Sequence, residues 1–306
     1  ISLTQSEIRW VGVLINAINT MMKRLMGMTF KWYVITFLAI CFSMPIQAQL
    51  SKKNKSHELG MMMGGGYYIG ELNPHNKGMF KNSSISGGLS YRNNLTRRLG
   101  IRLSAIYGNV EYWDKNSSDP WMINRNLSFR NRFYEFSAVG EINYFDYQMN
   151  SKDWISPYLF GGIAYYMMNP EGYVQGSWVT LQAMATEGQG ANSGNQYELN
   201  SISMPFGAGL KVNISGALGF SLEWGIRKTW TDYFDDVSTQ YTDPKILLHQ
   251  QGQLSVTLAD QSIVSERGLD SNQGMQRGDP ANKDYYGFLM ASLNIRLDKP
   301  ATNCYK

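Results

Sequence analysis

Residues Ser201–Ser238 read SISMPFGAGLKVNISGALGFSLEWGIRKTWTDYFDDVS. Two runs of alternating residues flank a short turn at Asn213–Ala217. In the first run Ile202, Met204, Phe206, Ala208, Leu210 and Val212 share one face, and Gly207, Gly209 and Lys211 share the other. In the second, Leu218, Phe220, Leu222, Trp224 and Ile226 alternate with Gly219, Ser221, Glu223, Gly225 and Arg227. A period of two puts each set on its own side of a sheet. The apolar side is continuous and bulky, while the other is small or charged. In a soluble sandwich the small, charged side would be wet. In a membrane barrel the apolar side meets lipid and the polar side fills the lumen.

The remainder of the chain separates these two readings. Further alternating runs are expected at Glu58–Gly70, Ser84–Arg92, Leu99–Trp113, Ser128–Phe145, Trp154–Met168 and Asp284–Leu297. With the hairpin they make eight strands. The connections alternate between short and long, the longest being Asn169–Asn200 and Trp230–Lys283. Short turns on one rim and long loops on the other are the pattern of outer-membrane barrels. Aromatic residues gather near strand ends (Tyr67, Tyr68, Trp113, Trp154, Tyr165, Tyr166, Trp230, Tyr233, Tyr285 and Tyr286), where interfacial girdles belong. The expected fold is all-β: an eight-stranded, antiparallel, up-and-down transmembrane β-barrel with long external loops. The triplet Gly64-Gly65-Gly66 inside a strand points to close packing or strong curvature.

Two domains are expected. Residues 1–48 read as upstream sequence followed by a cleaved signal peptide. Its basic start is Lys23-Arg24, its apolar core is Trp32–Met44, and its small-residue cleavage site ends at Ala48. Residues 49–306 are the barrel. The whole chain has 28 basic and 24 acidic residues. Taking away residues 1–48 leaves 24 basic residues against 23 acidic ones, a net of +1 that gives no basis for nucleic-acid binding. One cysteine, Cys304, remains in that segment, so an intrachain disulfide is excluded there.

Inward charges of both signs are expected at Arg102, Glu135, Glu141, Lys211, Glu223 and Arg227. An eight-stranded barrel has room only for side chains, so these charges should pair as a plug rather than line a conduit. The histidines His57, His75 and His249 fall outside the strand faces that a general base would need. His249, near Ser255 and Asp260, is the one candidate for hydrolysis. The acidic run Asp232–Asp236, with Asp243, lacks the spacing of a calcium loop and is expected to cap local turns. No metal or cofactor is expected. The run Leu254–Ile263 has β character and is expected to extend a hairpin above the membrane. Lys52, Lys53, Lys55, Arg97, Arg98 and Lys152 collect on the rim of the short turns and termini, against few acids, Glu58 and Asp146 among them. That rim is a possible partner surface.

The run Arg227–Ser238, with Arg227, Thr229, Thr231, Asp232, Tyr233, Asp235, Asp236 and Ser238 in place, resembles the Arg-x-Thr-x-Thr-Asp-Tyr-x-Asp-Asp-Val-Ser signature of the PorG-like family. Gly64–Pro74 and Phe160–Ala164 are also similar to it. The resemblance implies a non-enzymatic outer-membrane barrel of the type IX secretion system of Bacteroidota. Its implied partners are outer-membrane lipid and a periplasmic ring of a PorK-like lipoprotein and a PorN-like protein. In gliding relatives the same machinery serves motility. Termini and short turns would be periplasmic and the long loops extracellular. The rival functions are a generic adhesion or tethering barrel and an outer-membrane lipid hydrolase.

Overall fold

A computed structural model describes residues 55–70, 72, 83–147, 149, 154–189, 196–265, 271–281 and 283–298. The leader expected over 1–48 lies outside these residues, as do Lys52, Lys53, His75, Lys152 and Cys304.

Eight strands close on themselves: β1 (Ser56–Ile69), β2 (Ser84–Asn94), β3 (Leu99–Trp113), β4 (Ser128–Asn143), β5 (Ile155–Met167), β8 (Asn200–Asn213), β9 (Leu218–Thr229) and β10 (Tyr285–Arg296). Each pairs antiparallel with the next, and the β1–β10 pairing from Glu58↔Arg296 to Ile69↔Tyr285 shuts the cylinder. Alternation sets the two surfaces. The burial pattern of β4 runs strictly buried, exposed, buried along Asn131–Asn143. Outside stand large apolar side chains such as Ile85 at 78% exposure and Ile163 at 71%. An apolar wall of this extent needs lipid as its solvent, and closure leaves no backbone edge unpaired within it.

Two further strands, β6 (Pro170–Val174) and β7 (Ser177–Thr180), lie beyond the barrel. Strand β6 adds to the upper end of β4 through Phe129↔Gly172 to Asn131↔Pro170. Its turn, Gln175-Gly176, has positive φ at both residues (47° and 86°), the two-residue hairpin geometry that glycine favours.

The hairpin above the membrane is therefore in the Asn169–Asn200 connection, and the expectation for Leu254–Ile263 is corrected. Gln253–Ala259 is a helix. Its buried residues Ser255, Leu258 and Ala259 are three and four apart, a helical stripe, and Leu258 packs with Val174 and Leu181. The expected girdle is also corrected. Tyr68, Tyr166 and Tyr286 point inward and are at most 3% exposed. In a Tyr-Tyr pair on a strand only one ring can face lipid, because neighbours point to opposite sides. Trp154, Tyr165 and Trp230 are outside and exposed.

Candidate functional site

The lumen is a network of charges. Glu141 on β4 sits among three cations: Arg102 Nε at 2.6 Å, Lys211 Nζ at 2.6 Å and Arg92 Nε at 2.8 Å. Arg92 also bonds Glu58 at 2.7 Å, and Arg102 bonds Glu223 at 2.8 Å. Asn94 donates to Glu58, Lys211 to Asn143, and the Tyr158 hydroxyl to Glu223. Nearer the cap, Arg227 pairs with Glu135 at 3.1 Å, and the Tyr286 hydroxyl donates to the same carboxylate. These eight side chains are at most 4% exposed. Four acids face four bases, so this network is neutral and its charges are hydrogen-bonded, which is what makes buried ions tolerable.

All six charges singled out in the sequence lie in this network. Glu58 and Arg92 complete it and were missed. Glu58, expected on the rim, instead faces the lumen two residues inside the first β1–β2 pair and bonds Arg92, its partner in register.

Both ends of the lumen are filled. Towards the cap, Phe234 stacks on Tyr286 with centroids 5.0 Å apart, and Phe133 meets both edge-on. At the other end Tyr147 and Met149, from the β4–β5 turn, are each 1% exposed. Arg296 donates to the Met149 carbonyl, and Lys211 lies 5.1 Å from the Tyr147 ring.

The Arg227–Ser238 run leaves the barrel and knots three loops into a cap. Asp232 accepts from the Ser238 hydroxyl at 2.6 Å. Asp235 takes the Val237 N–H at 3.0 Å and the Tyr68 hydroxyl at 2.6 Å. Thr229 donates to the Asp284 carbonyl, and Thr231 Oγ1 accepts from the Tyr233 N–H. Tyr233 stacks on Tyr197 at 4.7 Å. Asp236, in the left-handed region that Asp tolerates, accepts from Tyr197 at 2.7 Å and from Thr186. It also faces Arg277 at 3.7 Å. Arg277 donates to Glu187 at 2.9 Å, and Glu187 in turn accepts from the Ser238 and Thr239 N–H groups. Arg125 forks onto Asp114 and donates to the Arg277 carbonyl. Asp235 thus closes a local turn and holds Tyr68 of β1 to it, whereas Asp236 joins loop to loop.

Two outcomes follow at this cap. Asp235→Asn keeps the acceptor for Val237 but puts an amide nitrogen where the oxygen accepts from Tyr68, and is expected to cost about 0.5–2 kcal/mol, similar to a lost cap. The folded, heat-modifiable gel band should persist while the urea midpoint falls slightly. A variant that never folds would make Asp235 more than a turn-former. Burial, aided by nearby Glu187, pushes the Asp236 carboxyl up to about 6, against Arg277 and the bonds from Thr186 and Tyr197. A raised acid favours the folded state below the unfolded value near 3.8, and that contribution is lost as pH rises through 6. Protease nicking of the cap should therefore be slower at pH 4.5 than at pH 7.5. Equal or faster nicking at the lower pH refutes this.

The hydrolase candidate is not assembled. His249 is exposed, Ser255 donates to the Met184 carbonyl, and Asp260 accepts from Ser262 and Asn272. Among the described residues no cluster of three His, Cys, Asp or Glu side chains is arranged to hold a metal ion. On the short-turn rim Lys55 is exposed, and Arg97 and Arg98 share Asp146, at 3.8 and 2.8 Å.

Residues 31–255 match the model of a family described as Domain of unknown function (DUF6089). No curated protein matches the chain. Among solved structures it is similar to Neisserial surface protein A at 9% identity and a TM-score of 0.37, covering 79% of this chain and 97% of that one. The outer membrane protein OprG of Pseudomonas aeruginosa matches at 8% identity and 0.37, covering 80% and 98%. The attachment invasion locus protein Ail of Yersinia pestis matches at 9% and 0.36, covering 80% and 99%. The barrel assignment rests on the strand registers given above.

Proposed function

We propose, from the premise that this chain belongs to the DUF6089 family, that it is a non-enzymatic outer-membrane scaffold of the type IX protein secretion machinery. In this reading it anchors a periplasmic ring of a PorK-like lipoprotein and a PorN-like partner. The observation that carries the scaffold role is the balanced ion-pair network that fills the lumen, closed by packed side chains at both ends. Such a barrel offers outer surfaces and rims to partners, and no passage. Assignment to the secretion machinery is supported by the PorG-like Arg227–Ser238 run, whose acidic and hydroxyl side chains are engaged in holding the cap.

The proposed docking rim carries Lys55, Arg97 and Arg98, with the short turns and termini periplasmic and the cap extracellular. Cationic rim residues act mainly on association rate and are screened by salt. Reversing Arg97 and Arg98 to Glu also sets two new acids against Asp146. Co-purification of the ring lipoprotein should fall several-fold at low salt, and in the parent it should weaken as salt rises. Unchanged capture at both salts by a folded variant places the docking surface elsewhere.

A second reading, a tethering or adhesion barrel, is favoured by one feature of the cap. Trp121, Ile123, Ile263 and Val264 are all exposed, and the two segments are held together by the Ile263 N–H on the Asn124 carbonyl and by the Asn124 side chain on the Val264 backbone. Loss of cell-surface adhesion on altering these four residues, in a folded barrel that captures no ring lipoprotein, would favour that reading.

A further inference from the structure

The lipid-facing side of β4 changes character in steps. From the cap downward its outward residues are Arg130, Arg132, Tyr134, Phe136, Ala138 and Gly140. Tyr134 pairs with Tyr107 on β3, ring centroids 5.4 Å apart, and marks the aromatic level of this wall. Immediately above it, Arg132 and Arg130 both bond Glu171 on β6, each at 2.7 Å. Glu171, and Glu111 on β3, which stands opposite Arg130 in register and accepts from Trp113 Nε1, set two acids against Arg130, Arg132 and Lys115. One positive charge is left in excess, and Arg132 stays 44% exposed. Arg130 also stacks on Trp178 at 4.4 Å, and Lys115 lies over Trp113 at 4.1 Å, so fixed cations stand on an aromatic shelf.

Below Tyr134 the wall is hollow. A groove of about 590 Å³ runs across the strands, walled by Leu89, Leu103, Phe136 and Ile163 and floored by Ala105 and Ala138. Gly140 and Gly161 lie further down the same face. A Cβ at either would meet nothing nearer than 3.9 Å, so packing within the protein does not demand a glycine there. The groove and the cations share one strand. Arg132 and Ala138 are six residues apart, roughly 20 Å at about 3.4 Å per residue, comparable to an extended acyl chain.

We propose that this face holds one phosphorylated lipid, its phosphate against Arg132 with Arg130 and Lys115 beside it, and one acyl chain in the groove. Arginine is the side chain suited to phosphate. Charge complementarity selects a lipid over a second copy of the barrel, which would bring the same cations to the contact. This site goes beyond the scaffold reading and does not depend on it.

The test uses the folded barrel in mild detergent, given equal amounts of phosphatidylglycerol and phosphatidylcholine and read by native mass spectrometry. Both lipids carry a phosphodiester, so the comparison reads the ammonium beside it. One phosphatidylglycerol should be retained roughly tenfold over phosphatidylcholine, whose cationic choline is repelled by the excess positive charge of the shelf. Inorganic phosphate should not displace it. Arg132→Glu should abolish the preference. Ala138→Phe, which fills the groove without touching the cap, should lower retention of both lipids. Equal retention by the parent overturns the proposal, as does a preference that survives Arg132→Glu in a protein that still shows a heat-modifiable band.

Discussion

Glu141→Gln is expected to cost the barrel about 3–5 kcal/mol, the range for removing one partner from a buried ion pair. Glu141 is the hub of the lower lumen, within 2.8 Å of Arg92, Arg102 and Lys211. Without its charge, three cations share Glu58 and Glu223. Lys211 suffers most, since its other polar partner is the neutral Asn143. Urea unfolding followed by the heat-modifiable band should register the loss. A second substitution, Lys211→Met, should recover much of it by removing the stranded charge. A Glu141→Gln barrel within 1 kcal/mol of the parent would mean that the network is not a stability element.

Gly64→Ala is expected to be as damaging, by a steric route. Gly64 faces inward on β1, paired with Met290 on β10. A methyl group there would overlap the Leu289 carbonyl oxygen and crowd the Met290 Cα at 2.8 Å. These are backbone atoms of the closing strand pair and cannot step aside as a flexible side chain would. The cost should be about 3 kcal/mol or more, at or above the upper end of ordinary overpacking. Gly140→Ala is the control: it is outward, its Cβ would meet nothing nearer than the Gly161 carbonyl oxygen at 3.9 Å, and it should stay within about 0.5 kcal/mol. If both variants fold equally well, close approach is not why Gly64 is a glycine.

The barrel was legible because period two is a strong signal wherever large apolar residues alternate with small or charged ones. The hairpin around Asn213–Ala217 shows it along its whole length. The signal fades in β1, where Met61-Met62-Met63 and Gly64-Gly65-Gly66 blur the alternation, and there Glu58 escaped notice as a lumen residue. Arg92 was lost beside the turn that follows it. The cap was largely illegible. Arg277 and Glu187 are 90 positions apart and meet only because three loops share one rim. The Gln175-Gly176 turn did carry a local signal, hidden within a stretch of polar composition.

The seam between β1 and β10 has a kinetic consequence. It joins the two ends of the barrel sequence, Glu58 to Arg296, so it forms only after every other strand is present. The lumen contacts are nearly as non-local, with Lys211 and Glu141 separated by 70 positions and Arg102 and Glu223 by 121. Such contacts return no energy until long loops have closed, which slows folding. An open sheet could already join Arg102 to Glu141 across the neighbouring strands β3 and β4, but it would carry Lys211 and Glu223 without their cross-lumen partners at membrane depth. Insertion and charge pairing should therefore occur in one concerted step. Partly inserted intermediates would be too costly to accumulate, and the nascent chain would be at greatest risk of aggregation before the seam shuts.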